Sequence, residues 1–113
     1  MNELVAIVTV TIVMKIDPYL CDTLMRDLTG HSRSAAAFLV YLQLYRQTHA
    51  MDRTTAALSY AVLAEATGLS KRSVQTAVGH LLERRLLSSN RQKPTSVPVY
   101  TVLTPWIRKR KQP

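Results

Sequence analysis

The sequence predicts a mainly α-helical domain with a small β-sheet. Apolar residues recur every three or four positions from Val74 to Leu82, which is typical of an amphipathic helix. Residues 4–16 are rich in Val, Ile and Thr, and residues 97–103 follow a strand-like pattern. The 113 residues suit one compact domain, and 47% of them are hydrophobic, which is enough for a core.

Positive charge is concentrated in the second half of the chain. Residues 71–113 hold ten Lys or Arg and a single acidic residue, Glu83, whereas residues 1–70 hold five basic and six acidic residues. A basic half on a small domain favours a polyanionic partner, with nucleic acid first. The alternative is charge that serves solubility. Cys21 is the single cysteine, so no internal disulfide is expected, and a reduced, cytoplasmic setting is the simplest interpretation.

The apolar run over residues 4–16 is predicted to be an N-terminal strand. It is too short for a membrane-spanning helix, and it lacks the basic start and the cleavage site of a signal peptide. A strand that is apolar on both faces needs a covering partner, either in this domain or in a second subunit. Alternatively, Met14 is the physiological start and the run is an incidental extension.

Two helices are predicted between residues 17 and 50. Asp17 and Pro18 read as an N-cap and a first helical residue, and the first helix is expected to end near Gly30. Its apolar stripe consists of Leu20, Leu24 and Leu28. Ser32 or Ser34 caps the second helix, Ala35–Gln47, which is apolar nearly all round and must lie at the centre of the fold or in a subunit interface. Its predicted apolar faces contain Phe38, Leu42 and Tyr45 on one side and Leu39, Tyr41 and Leu44 on others.

No catalytic, cofactor or metal site is predicted. Residues 49–57 read as a loop without a catalytic grouping, and His31, His49 and His80 lie far apart in the sequence. No nucleophile, base and orienting group occur together, no glycine-rich phosphate loop is present, and no Cys/His pattern has zinc spacing. The sequence therefore predicts a protein that is not an enzyme, with no cofactor and an unknown effector.

Two short helices around a tight turn are predicted next. Ser59 caps a helix from Tyr60 to about Thr67, and Gly68 supplies the left-handed residue that ends it. Leu69 enters the core, and Ser70 caps the following helix. The inner faces are predicted to contain Val62, Leu63 and Ala66 in the first helix, then Val74, Ala77, Val78, Leu81 and Leu82 in the second. Ala64 is small, so the two helices can approach closely.

The outer face of the second helix is polar near its start. Its residues are Lys71, Arg72, Ser73, Gln75 and Thr76. Side chains at this end of a helix in the major groove meet base edges, where Arg pairs with guanine and Gln with adenine. The positive helix end at Ser70 also suits phosphate. A solvated basic face is the alternative interpretation.

The stretch "LSYAVLAEATGLSKRSVQTAVGHLLERRLL" resembles the helix-turn-helix of bacterial winged-helix DNA-binding proteins. These include regulators of the MarR and GntR type and replication-initiator domains. The resemblance covers residues 58–103 and implies a β-hairpin wing. Residues 85–89 form its first strand, residues 90–96 form a basic loop, and residues 97–103 return with Val99, Thr101 and Leu103 inward against Tyr100 and Val102.

Further basic residues follow the recognition helix. Arg91 and Lys93 at the wing tip are predicted to reach phosphates or a minor groove, unless the hairpin only closes the core. Trp106 is expected to pack on the domain. The basic tail, Arg108 to Lys111, is predicted either to fold onto DNA as an arm or to stay solvated. The predicted DNA-binding residues are Ser59, Tyr60, Ser70, Lys71, Arg72, Ser73, Gln75, Thr76, Arg91, Lys93, Arg108, Lys109, Arg110 and Lys111.

The sequence thus predicts a single winged helix-turn-helix domain that binds double-stranded DNA sequence-specifically, as a dimeric transcriptional regulator. Its parts are an N-terminal strand or extension (1–16), a helical core or dimerisation region (17–50), the helix-turn-helix with its wing (58–106) and a basic tail (107–113). One alternative is a replication or plasmid-maintenance protein that binds origin DNA or a partner. Another is a winged helix used only for protein contacts, which the basic half argues against.

Overall fold

The computed structural model describes residues 14–107. The strand predicted over residues 4–16 lies outside the described residues as far as residue 13, and residues 14–16 have no regular structure. The basic tail, residues 108–111, also lies outside them.

The described chain is mainly helical and carries one small antiparallel sheet. Two π-helical stretches, Leu20–Leu24 and Asp27–His31, precede helix α1, Ala35–Gln47, and a 3₁₀ turn, His49–Met51. Strand β1 is Thr55–Ala57, followed by helices α2, Tyr60–Thr67, and α3, Lys71–Glu83. Strands β2, Leu87–Asn90, and β3, Val99–Val102, form the hairpin. The strand order is β1-β3-β2, with both pairs antiparallel. Three helices, a β1 that pairs with the hairpin and a loop between β2 and β3 make this a winged helix-turn-helix.

The first helical segment begins as predicted but has wider turns. The backbone N–H of Tyr19 donates to the Asp17 carboxylate at 2.9 Å, which confirms the cap. The predicted stripe is fully buried at Leu20, Leu24 and Leu28. The segment ends at His31, next to the predicted Gly30, and the left-handed residue that follows is Arg33, at φ 55°.

Helix α1 lies at the centre of the fold, which is one of the two positions predicted for it. Ser34 is its cap and accepts a hydrogen bond from the N–H of Ala37 at 3.1 Å. The helix packs against α2, α3 and the π-helical segment. Its buried residues are Ala37, Phe38, Val40, Tyr41, Leu44 and Tyr45. Leu39, which is predicted to lie on another apolar face of the helix, is 43% exposed and is not part of the core.

Residues 49–57 are more ordered than the predicted loop. They contain the 3₁₀ turn and β1, whose Thr55 lies opposite Thr101 and whose Ala57 lies opposite Val99. A three-residue strand at the edge of a sheet carries too little alternation to be found in the sequence.

Strand β3 buries the opposite set of side chains from the set that the sequence predicts. Tyr100 and Val102 are buried, whereas Val99 is exposed. Val102 lies directly opposite the buried Leu87, and residues directly opposite in an antiparallel pair share a face. Because side chains alternate with a period of two, an error of one residue moves every side chain to the other face.

Three apolar helix positions predicted to be inward are exposed instead. In α2 only Leu63 is buried, while Val62 is 48% exposed and Ala66 is also exposed. Leu82 of α3 is 37% exposed. An eight-residue helix that meets the core along a single line can bury only a narrow stripe, so its flanking apolar residues reach solvent.

Candidate nucleic-acid interface

The turn between α2 and α3 has the geometry that the sequence predicts. Ser59 caps α2 by accepting the N–H of Val62 at 3.2 Å. Gly68 ends that helix in the left-handed conformation, with φ at 80°, and its N–H donates to the Ala64 carbonyl at 2.9 Å. Ser70 then caps α3 by accepting the N–H of Ser73 at 3.0 Å. Three residues therefore separate the two helices and fix the direction in which α3 leaves the turn.

The first turns of α3 present polar side chains to solvent. Lys71, Arg72, Gln75 and Thr76 are all exposed. The opposite face of the same helix is buried at Val74, Ala77, Val78 and Leu81. This division confirms which side of α3 faces outward. It leaves two cations, an amide and a hydroxyl accessible on one helix face.

The two serines predicted to bind DNA at the start of α3, Ser70 and Ser73, differ in their hydrogen bonds. The Ser70 hydroxyl accepts the Ser73 N–H and donates to the Ser73 hydroxyl at 3.0 Å, so the cap occupies it. Ser73 is half-buried and keeps its own hydroxyl proton after accepting from Ser70. Ser70 therefore positions the helix, and Ser73 retains a donor.

A groove joins the starts of both helices to the wing. It has a volume of about 280 Å³ and lies between the N-terminus of α2, the N-terminus of α3 and the loop between β2 and β3. Its polar lining consists of Ser59, Tyr60, Lys71, Arg91, Thr95 and Ser96. Four of these residues were predicted to bind DNA, and the fold brings all four together. Thr95 and Ser96 were missed, although their hydroxyls lie in the polar loop that the sequence identified as the wing.

The wing cations are held differently from one another. Arg91 donates from its guanidinium to the Pro94 carbonyl at 3.1 Å, which fixes its side chain against the loop. Lys93 is exposed and does not line the groove. Gln75 also lies outside it, on the open face of α3.

Tyr100, in the returning strand of the wing, is buried. Burial, followed by the neighbouring Tyr60 hydroxyl, raises the pKa of Tyr100 to about 12, while Arg91 acts in the opposite direction. The N–H of Leu58, two residues before α2, donates to the Pro98 carbonyl at 3.3 Å. A backbone hydrogen bond therefore joins the returning strand of the wing to the chain that enters α2.

A second depression flanks α3 on its other side. It is about 280 Å³ in volume and is lined by Ser34 and Ala36 of α1 and by Arg72, Ser73 and Thr76 of α3. The sequence did not associate the start of α1 with this surface. No local pattern could have done so, because the two helices are about forty residues apart and meet only in the folded chain.

The far end of α3 is attached to the N-terminal segment. Arg84 donates to the Asp27 carboxylate at 2.5 Å and to the Ser32 hydroxyl at 2.7 Å. Fifty-seven positions separate Arg84 from Asp27. This arginine therefore makes contacts within the fold, and it joins the end of α3 to the N-terminal segment.

The described residues carry neither a metal cluster nor a membrane span. Within residues 14–107, no three side chains of His, Cys, Asp or Glu come together in a group that could hold a metal ion. In the same range, no helix is long and apolar enough to cross a membrane.

Residues 34–87 match the family model of a helix-turn-helix domain. The match begins at the cap of α1, spans α2, the Gly68 turn and α3, and ends at the first residue of β2. It supports a helix-turn-helix DNA-binding protein, with DNA as the partner. No curated protein and no solved structure matches the chain significantly.

Proposed function

We propose that this protein binds double-stranded DNA sequence-specifically and acts as a dimeric transcriptional regulator. The observation that carries the proposal is the convergence of the exposed face of α3 with the wing. Lys71 and Arg91 line one groove although they belong to different elements, and Arg72 and Gln75 lie on the open face of the same helix. The side chains that we assign to base reading and to phosphate binding are thus carried by α3 and the wing beside it.

Helix α3 is the element that enters the major groove. Its core face is closed by four buried apolar residues, so only the polar face can meet DNA. Arg72 has the donors for guanine O6 and N7, and Gln75 has the amide that pairs with adenine. Both lie within the first turns of the helix, where a helix-turn-helix protein contacts base edges.

The wing and the helix starts supply the phosphate contacts. Lys71 and Arg91 are cations on the walls of the groove, and Ser59 and Ser96 add hydroxyls. Contacts of this kind fix the register of a protein on DNA without reading its sequence. Together with Lys93 at the wing, they account for a large sequence-independent part of the affinity.

Dimerisation is proposed because one short recognition helix reads only a few base pairs. Exposed Leu39 and half-buried Leu42 of α1 line an apolar groove of about 300 Å³ with Met14. This surface adjoins the start of the described chain. It supports a subunit contact on the side of α1 that the core leaves uncovered.

Selection of bound sequences from a random double-stranded DNA pool tests the proposal. A pseudo-palindromic consensus with half-sites about one helical turn apart is the expected result for a dimer. The matched control is the double variant Arg72→Ala, Gln75→Ala, which should recover DNA without a consensus. Failure of the unaltered protein to retain any DNA at low salt would refute the function, and an asymmetric consensus would refute the dimer.

A further inference from the structure

Another groove lies where α3 and β3 end, away from the wing tip. Its volume of about 610 Å³ lies within the size range of small-molecule sites. Leu103, Pro105 and Ile107 form an apolar part of its lining, and Ile107 is 50% exposed. Among the described residues that line it, Arg85 carries the one permanent charge, and none is acidic.

Arg85 has a backbone conformation that an arginine adopts only under strain. The N–H of Leu86 donates to the Leu81 carbonyl at 2.9 Å, and the N–H of Arg85 donates to the Leu82 carbonyl at 3.1 Å. These are the two hydrogen bonds of a Schellman motif, in which the left-handed position favours glycine. Arg85 occupies that position with φ at 57°. A strained residue that also lines a groove is a reason to look for function there.

Another part of the lining, His49, is held by two contacts within the fold. The Nε2 atom of His49 lies 2.9 Å from the carbonyl oxygen of Val102, and a carbonyl can only accept, so Nε2 carries the proton. The imidazole also stacks on Tyr45, with ring centroids 5.2 Å apart. A wall held in this way does not need to reorganise when a ligand enters.

We propose that this groove binds a small organic anion with a flat apolar body. The carboxylate of the ligand pairs with the Arg85 guanidinium, and its body lies on Leu103, Pro105 and Ile107. Guanidinium and carboxylate form paired, charge-assisted hydrogen bonds, which explains why an arginine is placed there in spite of the strain. The occupant contacts both the end of the recognition helix and the strand that returns from the wing.

The test is a titration of the full chain with naphthalene-2-carboxylate, followed by ¹⁵N NMR. The amide signals of Thr101, Leu103 and Thr104 should shift, with a dissociation constant on the order of 1 mM. The uncharged naphthalene-2-carboxamide has nearly the same shape and should bind at least about tenfold more weakly. Equal binding of the two compounds, or no shift from either one, would overturn the proposal.

Two arginine variants separate binding from strain. Arg33 also has a left-handed backbone, with φ at 55°, and it is exposed like Arg85, but it lies away from the groove. Arg33→Gly and Arg85→Gly should both raise the melting temperature, because each removes the same strain and one positive charge. Only Arg85→Gly should weaken naphthalene-2-carboxylate binding, by at least about tenfold. Unchanged binding in Arg85→Gly, or an equal loss in Arg33→Gly, would contradict the proposed role of Arg85.

Discussion

Alanine at Arg72 or Gln75 should reduce sequence preference more than it reduces overall DNA affinity. Both side chains are exposed on the open face of α3, so their loss should change the free energy of unfolding by less than about 0.5 kcal/mol. A paired contact with one base is worth about 1–3 kcal/mol of discrimination. Each substitution should therefore weaken binding to the best site by about 5- to 150-fold and relax the preference at one base pair.

The assay is fluorescence anisotropy with the selected site and a scrambled duplex at one salt concentration. The ratio of specific to non-specific affinity should fall for Arg72→Ala and for Gln75→Ala. Lys93→Ala removes a wing cation outside the groove and should weaken both duplexes equally, leaving the ratio unchanged. Arg26→Ala removes an exposed arginine of the N-terminal segment and should change neither affinity. A ratio that falls for Lys93→Ala but not for either α3 variant would show that α3 is not the reading element.

Four further outcomes are expected. The four exposed cations of α3 and the wing should contribute about −4 per subunit to the slope of log K against log salt. The basic residues 108–111 should add to this slope, so deleting them should bring it back toward about −4, and a flat slope for the full chain would mean that this surface meets no DNA. Gly68→Ala should destabilise the fold by about 1–2 kcal/mol, and the left-handed φ is the whole cause, since an added Cβ meets no atom within 4 Å. Gly79→Ala, within α3, should stabilise the fold by about 0.5–1 kcal/mol in the same urea denaturation series. Changes of the same sign for the two variants would contradict the assigned turn. Tyr100 loses its proton near pH 10 in the unfolded chain and only near pH 12 in the folded chain. The free energy of unfolding should therefore fall by up to about 1.4 kcal/mol per pH unit between these two values. Tyr100→Phe should make this fall shallower, as measured by urea denaturation at each pH. Sedimentation should give about twice the 12.7 kDa chain mass, and a protein that stays monomeric at high concentration would exclude the proposed dimer.

The boundaries of α2 and α3 were predictable because the sequence signals that mark them are local. Ser59, Gly68 and Ser70 are identified by short-range chemistry, since a hydroxyl caps a helix start and glycine accepts a left-handed turn. The structure places all three as expected. The buried stripe of α3 follows from its period alone, and four of its five predicted members are buried.

The wing and the long-range contacts could not be derived in the same way. Residues 97–103 contain apolar side chains at nearly every position, so the pattern does not say which phase faces the helices. Tyr100 is buried because the strand register sets its face, and that register depends on pairing with β1 and β2. The contact of Arg84 with Asp27 joins residues fifty-seven positions apart, and neither residue lies in a pattern that indicates the other.

These long-range contacts connect the N-terminal segment to α3 and to the chain that follows the wing. Asp27 holds the end of α3 through Arg84, and Asp17 accepts a hydrogen bond from the Trp106 indole at 3.0 Å. Tyr19 stacks on the same indole, with ring centroids 4.4 Å apart. The segment therefore contacts both the end of α3 and the chain that leaves the wing. If the proposed second subunit docks beside this segment on α1, it sets the position of α3 directly, because the segment and α3 are joined by these contacts. Two α3 helices held at a fixed separation are what half-site spacing requires.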